Sequence, residues 1–162
     1  MTAEDYLIHY IRADAASPLN AAPFAATVLS HGCLFRKRAR SDDYEITKLW
    51  RKTNRPRMKQ CYYNSQLFCC EDDSVRYFEA YAVRDDRRSW PFRHAWIVMP
   101  DGFVVDFTLE ALERSREGLN GTHRPAEVLY FGVEVPQHTI REAMLSSGFI
   151  EPVALRLFSK AN

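Results

Sequence analysis

The sequence predicts an α+β protein in which a short helix beginning at Cys61 packs against an antiparallel sheet. Two patterns carry that reading. Apolar residues recur at helical spacing over 4–16, 60–71 and 136–147. Residues 75–83 alternate as a strand does, and 94–99 and 103–108 flank the hairpin dipeptide Asp101-Gly102. A chain of 162 residues, 46% hydrophobic, holds enough apolar material to bury a core without disulfides or metals.

The elements follow in order. Over 4–16, Tyr6, Leu7, Tyr10 and Ile11 sit at helical spacing behind two acidic residues, and Ser17-Pro18 ends the run. The apolar stretch 23–29 fits helix or strand until Gly32 breaks it. Residues 36–59 hold ten basic side chains against Asp42, Asp43 and Glu45, with Tyr44, Ile46, Leu49 and Trp50 as one apolar stripe, interrupted by Pro56. The helix over 60–71 puts Tyr63, Leu67 and Cys70 on a common side. In the strand over 75–83, Glu79 shares a face with Val75, Tyr77, Tyr81 and Val83.

A charged loop over 84–89 leads into the 94–99 strand, and 103–108 returns antiparallel to it. Residues 109–127 are charged and contain Gly118, Gly121 and Pro125, which predicts a helical turn followed by a loop. A strand over 128–133 precedes a helix over 136–147, with Ile140, Ala143 and Met144 on one side and Gly148 closing it. A last strand is expected over 153–158. With no repeat or low-complexity tract, 1–162 reads as a single domain. It has a helical and basic part over 1–59 and chemistry-bearing motifs over 60–108.

The four cysteines, at 33, 61, 69 and 70, form neither a disulfide framework nor the paired spacing of a structural zinc site. No metal and no cofactor is expected. The acidic N-terminus lacks the pattern of a signal peptide, and no apolar run approaches the roughly 20 residues that span a bilayer. The expectation is a cytoplasmic protein without a membrane segment, in a compartment where a free thiol survives.

Thiols act as nucleophiles in their thiolate form, which a helix N-terminus or a neighbouring cation favours. Cys61 stands where the predicted helix begins, just after the basic stretch. Its proton shuttle is expected to be His94, at the start of a strand. Asp106 lies in the paired strand. A turn centred on residues 101 and 102 places His94 opposite 109 and Asp106 opposite Ile97 or Met99, about two residue steps from His94. Asp106 would then orient the imidazole and stabilise its charged form. Cys69 and Cys70 are rotated away from Cys61 on the helix and read, with Cys33, as structural.

These residues sit within Gln60-Cys61-Tyr62-Tyr63-Asn64-Ser65, Tyr77-Phe78-Glu79-Ala80-Tyr81-Ala82, His94-Ala95-Trp96, Asp101-Gly102 and Val105-Asp106-Phe107-Thr108. Together they resemble the transglutaminase-like members of the papain-like cysteine hydrolase superfamily. The resemblance covers about residues 60–108. It departs at Ala80, where a glycine is common, and at Phe107, where proline often follows the aspartate. It implies a papain-like core with catalytic Cys61, His94 and Asp106, and an acyl-enzyme mechanism on an amide. It further implies an oxyanion held by the Cys61 backbone N–H and one side-chain donor: Gln60, with Asn64 and Trp96 as alternatives. Asn64 and Trp96 are also the residues expected to touch substrate.

The expected substrate is a peptide or protein side chain. The competing expectation is a non-catalytic module of the same fold, whose basic 36–59 stretch holds an acidic protein partner or, in the absence of any nucleic-acid motif a less favoured choice, a nucleic-acid backbone.

Overall fold

The computed structural model describes residues 2–18, 22–84, 89–120, 127–147 and 152–159. Helix α1 (Ala3–Ala15) starts in a capping box: Thr2 accepts from the Asp5 N–H, and the Asp5 carboxylate accepts from the Thr2 N–H. The stretch left open between helix and strand is helix α2 (Ala22–His31). Two short strands follow, β1 (Cys33–Phe35) and β2 (Arg38–Ala39), then helix α3 (Glu45–Asn54). Arg55, in the left-handed region at φ 50°, ends α3 by donating its N–H to the Arg51 carbonyl. The remaining elements are α4 (Cys61–Glu71), β3 (Arg76–Arg84), β4 (Phe92–Val98), β5 (Val104–Val105), α5 (Phe107–Asn120), β6 (Val128–Val135), α6 (Gln137–Ser147) and α7 (Val153–Ser159).

The strands form one six-stranded sheet in the order β1-β6-β3-β4-β5-β2, antiparallel except between β2 and β5. The architecture is therefore mixed α and β, with the Cys61 helix packed on the sheet at β4. Tyr77, Tyr81, Ile97 and Val133 look toward the side where α1, α2, α4, α6 and α7 cover the core. Phe78, Trp96, Val98 and Tyr130 look the other way, against Leu109 and Leu112 of α5. At Gly132 of β6 a Cβ would lie 2.6 Å from the Trp96 ring, so only glycine lets that indole cross the strand.

The expected hairpin forms one residue out of the simplest register. Ile97 faces Val105 and Val98 faces Val104, and the Met99 N–H donates to the Phe103 carbonyl. Gly102 adopts φ 87° in the loop, as a hairpin glycine does. Because strand side chains alternate, a one-residue shift changes which face each occupies. The observed register puts Asp106 opposite Trp96, on the same face as His94. The strand expected over 103–108 also stops at Val105, because Asp106 caps a helix.

Several expectations are corrected. Residues 109–116 are regular helix rather than one turn, and the loop expected around Gly121 and Pro125 lies outside the described residues, as do Gly148 and most of the 84–89 loop. The last strand is instead helix α7. On α4 the buried residues are Cys61, Asn64, Ser65, Gln66, Phe68 and Cys69, while Tyr63, Leu67 and Cys70 are half-buried. In α3, Trp50 is buried against Phe68 and Phe107, but Ile46 and Leu49 are exposed. Four residues of the basic stretch are latched onto acids: Arg38 grips Glu113 at 2.7 and 3.0 Å, Arg51 meets Asp42, Lys48 meets Glu45 and Arg36 meets Glu4. No described helix is long and apolar enough to cross a membrane.

Glu79 explains the last helix. It is buried on the helix-covered side, and its Oε1 accepts from Tyr77 Oη at 2.7 Å and from the Val153 N–H at 2.9 Å. Its Oε2 accepts from the Ala154 N–H at 2.9 Å. A carboxylate from the sheet thus satisfies the first amides of α7, which no local sequence signal supplies. Burial pushes the Glu79 carboxyl up to about 7, while these donors hold it down. An acid bound to its proton more tightly when folded contributes most stability in acid, and loses it as the pH rises from about 4.5 through about 7. Glu79→Gln turns an NH2 toward a backbone N–H and should cost about 1–3 kcal/mol. By urea unfolding, the wild type's advantage over that variant should shrink between pH 4.5 and 7; an advantage that grows would contradict this assignment.

Candidate active site

The site forms where the sheet is locally open. Strand β4 pairs with β3 along its length, but β5 reaches only Ile97 and Val98. Beside His94 that edge of β4 has no neighbouring strand among the described residues. The N-terminal end of α4 comes up to it, tied by Ser65 Oγ donating to the Ala95 carbonyl at 3.3 Å. A residue from one side of the sheet can thus meet a residue from the other.

Cys61, His94 and Asp106 are brought together there. Cys61 is 8% exposed and lines the same cleft as His94, close enough to help hold the ring in its charged form. His94 Nε2 lies 2.7 Å from Asp106 Oδ2, which leaves Nδ1 for the thiol. Asp106 is saturated. Its Oδ1 accepts from the Thr108 and Leu109 N–H groups at 3.1 and 3.0 Å, which caps α5. Its Oδ2 accepts from His94 and from Tyr130 Oη, at 3.0 Å. With every lone-pair direction used, the carboxylate has one orientation.

The electrostatics agree from both partners. Burial works against a charged imidazole, but the Asp106 carboxylate outweighs it and pushes His94 up to about 10. Burial likewise opposes ionisation of Asp106, yet His94, Arg38 and the α5 amides hold its carboxyl below the usual range. The pair is a buried imidazolium–carboxylate ion pair. Burial pushes the Cys69 thiol up to about 12 and moves Cys70 in the same direction. Cys33 is exposed.

The other expected residues divide. Gln60 is the N-cap position of α4, exposed, with no side-chain bond to the helix, so its amide is available beside Cys61. Asn64, expected at substrate, is 1% exposed and fully engaged. Its Nδ2 donates to the Arg57 carbonyl and to Thr108 Oγ1, each at 2.7 Å, and its Oδ1 accepts from the Arg57 N–H at 3.1 Å. It anchors the strap 55–60 to α4 and α5 and cannot also bind substrate. Trp96 is corrected in the same way: at 0% exposure it stacks behind His94, ring centroids 6.4 Å apart, and touches Tyr130 and Phe78. It packs the imidazole from the side away from solvent.

Tyr130, Arg38 and Thr108 are the functional neighbours that the sequence reading missed. Tyr130 lies in an expected strand, but its contact with Asp106 depends on β6 pairing with β3, a long-range fact. Thr108 follows Asp106 by two residues, the one local signal available. Among the described residues no group of three or more His, Cys, Asp or Glu is placed to hold a metal ion.

The fold and site define a mixed α and β protein with a buried thiol–imidazole–carboxylate constellation at an open sheet edge. Comparison of the chain with protein-family models, with curated proteins and with solved structures gave no match.

The ion pair sets a titration. In wild type the His94 ring should stay protonated up to about pH 10, followed by NMR of labelled imidazole. In Asp106→Asn the largest influence that raises the ring is gone while burial still lowers it, and the ring should titrate well below about 10. The stability from His94 is present below about 6.5 and lost as the pH rises through about 10, while that from Asp106 is lost in acid. Asp106→Asn should therefore cost about 3–5 kcal/mol near pH 7. A variant whose His94 still titrates near 10 would refute the pairing.

Proposed function

We propose that the chain is a thiol-dependent hydrolase or acyltransferase with a transglutaminase-like, papain-like core, acting on an amide through a thioester at Cys61. The observation that carries this is a His94 ring bonded to a saturated Asp106 and lying beside Cys61 in one cleft that opens to solvent. A structural ion pair needs no thiol on its second nitrogen, and a core cysteine needs no imidazole. The combination has the roles of nucleophile, proton shuttle and orienting carboxylate.

The Cys61 sulfur attacks the amide carbonyl carbon as a thiolate, forming the C–S bond and pushing the carbonyl electrons onto oxygen. The Cys61 N–H, unpaired within the helix at its first position, and the Gln60 amide face that oxyanion. As the tetrahedral centre collapses, the C–N bond breaks and His94 delivers its proton to the departing amine. Water or an amine then attacks the thioester, neutral His94 takes its proton, and the C–S bond breaks. Asp106 keeps Nδ1 aimed at the sulfur throughout and offsets the charge on the ring. A peptide or protein is the expected substrate.

Alkylation by iodoacetamide, read residue by residue by mass spectrometry, tests this. Near neutral pH Cys61 should react faster than exposed Cys33 despite its burial, and His94→Ala should slow Cys61 by about tenfold or more while leaving Cys33 unchanged. Equal rates at the two cysteines, or no effect of His94→Ala, would refute the reading.

A further inference from the structure

The cleft that holds the Cys61–His94 pair encloses about 340 Å³, within the range of small-ligand pockets. Its described lining combines apolar residues with cations. Phe92 of β4, Leu109 and Leu112 of α5, and Met58 of the strap before α4 form an apolar side. Phe92 stands edge-on to the His94 ring, with centroids 5.3 Å apart, so the apolar side begins at the imidazole itself. Among the described residues, the remaining titratable residues of the lining are Lys59, Arg84 and Arg93, all cations. Arg93 is engaged with Asp14 at 3.3 Å, whereas Lys59 has no acidic partner among the described residues.

Lys59 is held in place. It adopts φ 61°, a conformation that side-chain-bearing residues rarely take, two residues before the nucleophile. The strap around it is bonded through both the N–H and the carbonyl of Arg57 to Asn64. Met58 and Lys59 are therefore presented at the cleft by a fixed backbone, one adding apolar surface and the other charge.

We propose that the cleft selects a peptide amide whose carbonyl comes from a large apolar residue and whose preceding residue is acidic. The assignment rests on the thiol acyl chemistry proposed above and deepens it by naming the substrate class. A carbonyl seated at Cys61 brings the side chain of its own residue against Phe92, Leu109 and Leu112, where burying an aromatic or branched chain is favourable and a polar carboxamide finds no partner. Lys59, which has no acidic partner among the described residues, favours an anion beside it and disfavours a cation.

Four peptidyl acyloxymethyl ketones test it, with Phe or Gly at the carbonyl residue and Asp or Asn before it. In each, the thiolate sulfur displaces the carboxylate from the methylene carbon and leaves a C–S adduct on Cys61. Phe should label Cys61 about tenfold or more faster than Gly. Asp should exceed Asn a few-fold at low salt, less at high salt, and Lys59→Glu should reverse that order. Iodoacetamide on wild type and His94→Ala is run beside them. If its reaction at Cys61 does not depend on His94, the acyl-chemistry reading fails first. If it does depend on His94, equal Phe and Gly rates, no labelling by any ketone, or an Asp preference unchanged by Lys59→Glu overturns the substrate assignment alone.

Discussion

The carboxylate of Asp106 does three tasks with two oxygens. One oxygen takes the first free amides of α5 and starts that helix, and the other receives His94 and Tyr130. Removing it would leave two helix amides, a buried phenol and a buried cation without an acceptor, and each such loss costs on the order of 1–3 kcal/mol, not additively. The basic arm depends on it at one remove: Arg38 grips Glu113, and the Ser41 N–H donates to Glu110 at 2.9 Å, both acids on the helix that Asp106 caps. The arm, the helix and the imidazole are fastened to a single carboxylate.

Glu79 is its counterpart on the other side of the sheet, and the contrast explains both. Each carboxylate is buried, and each caps a helix from a position in or beside the sheet. Glu79 receives only neutral donors, so burial dominates and its carboxyl rises to about 7. Asp106 has a cation bonded to it and the Arg38 charge nearby, so the same burial is outweighed. The surroundings, not the residue type, decide which carboxyl stays ionised and can hold a histidine charged.

The parts of this arrangement that local pattern specifies were legible in the sequence. The period-two run from Val75 marked β3, Asp101-Gly102 marked the hairpin, and the stretch from Gln60 marked α4 with Cys61 at its first position. What was not legible depends on tertiary partners. The hairpin register hung on a loop one residue longer than the shortest turn, and that residue moves Asp106 onto the His94 face. Residues 153–158 resemble a strand because they are short and apolar; Glu79, far away in sequence, makes them helical. Trp96 and Asn64 stand next to the motif residues in sequence, which suggested substrate contact, yet both are spent on supporting the imidazole and the strap. Tyr130 reaches Asp106 only because β6 lies beside β3.

The central claim is that Asp106, through His94, makes Cys61 an acyl acceptor. An acyl group donated by p-nitrophenyl acetate, trapped by acid quench and located by peptide mass, measures this directly. The account predicts an acetyl group on Cys61 in wild type, with Cys33 far behind and the Cys61 adduct largely lost in Asp106→Asn. Acetylation that falls mainly on Cys33, or that is equal in wild type and Asp106→Asn, would contradict it.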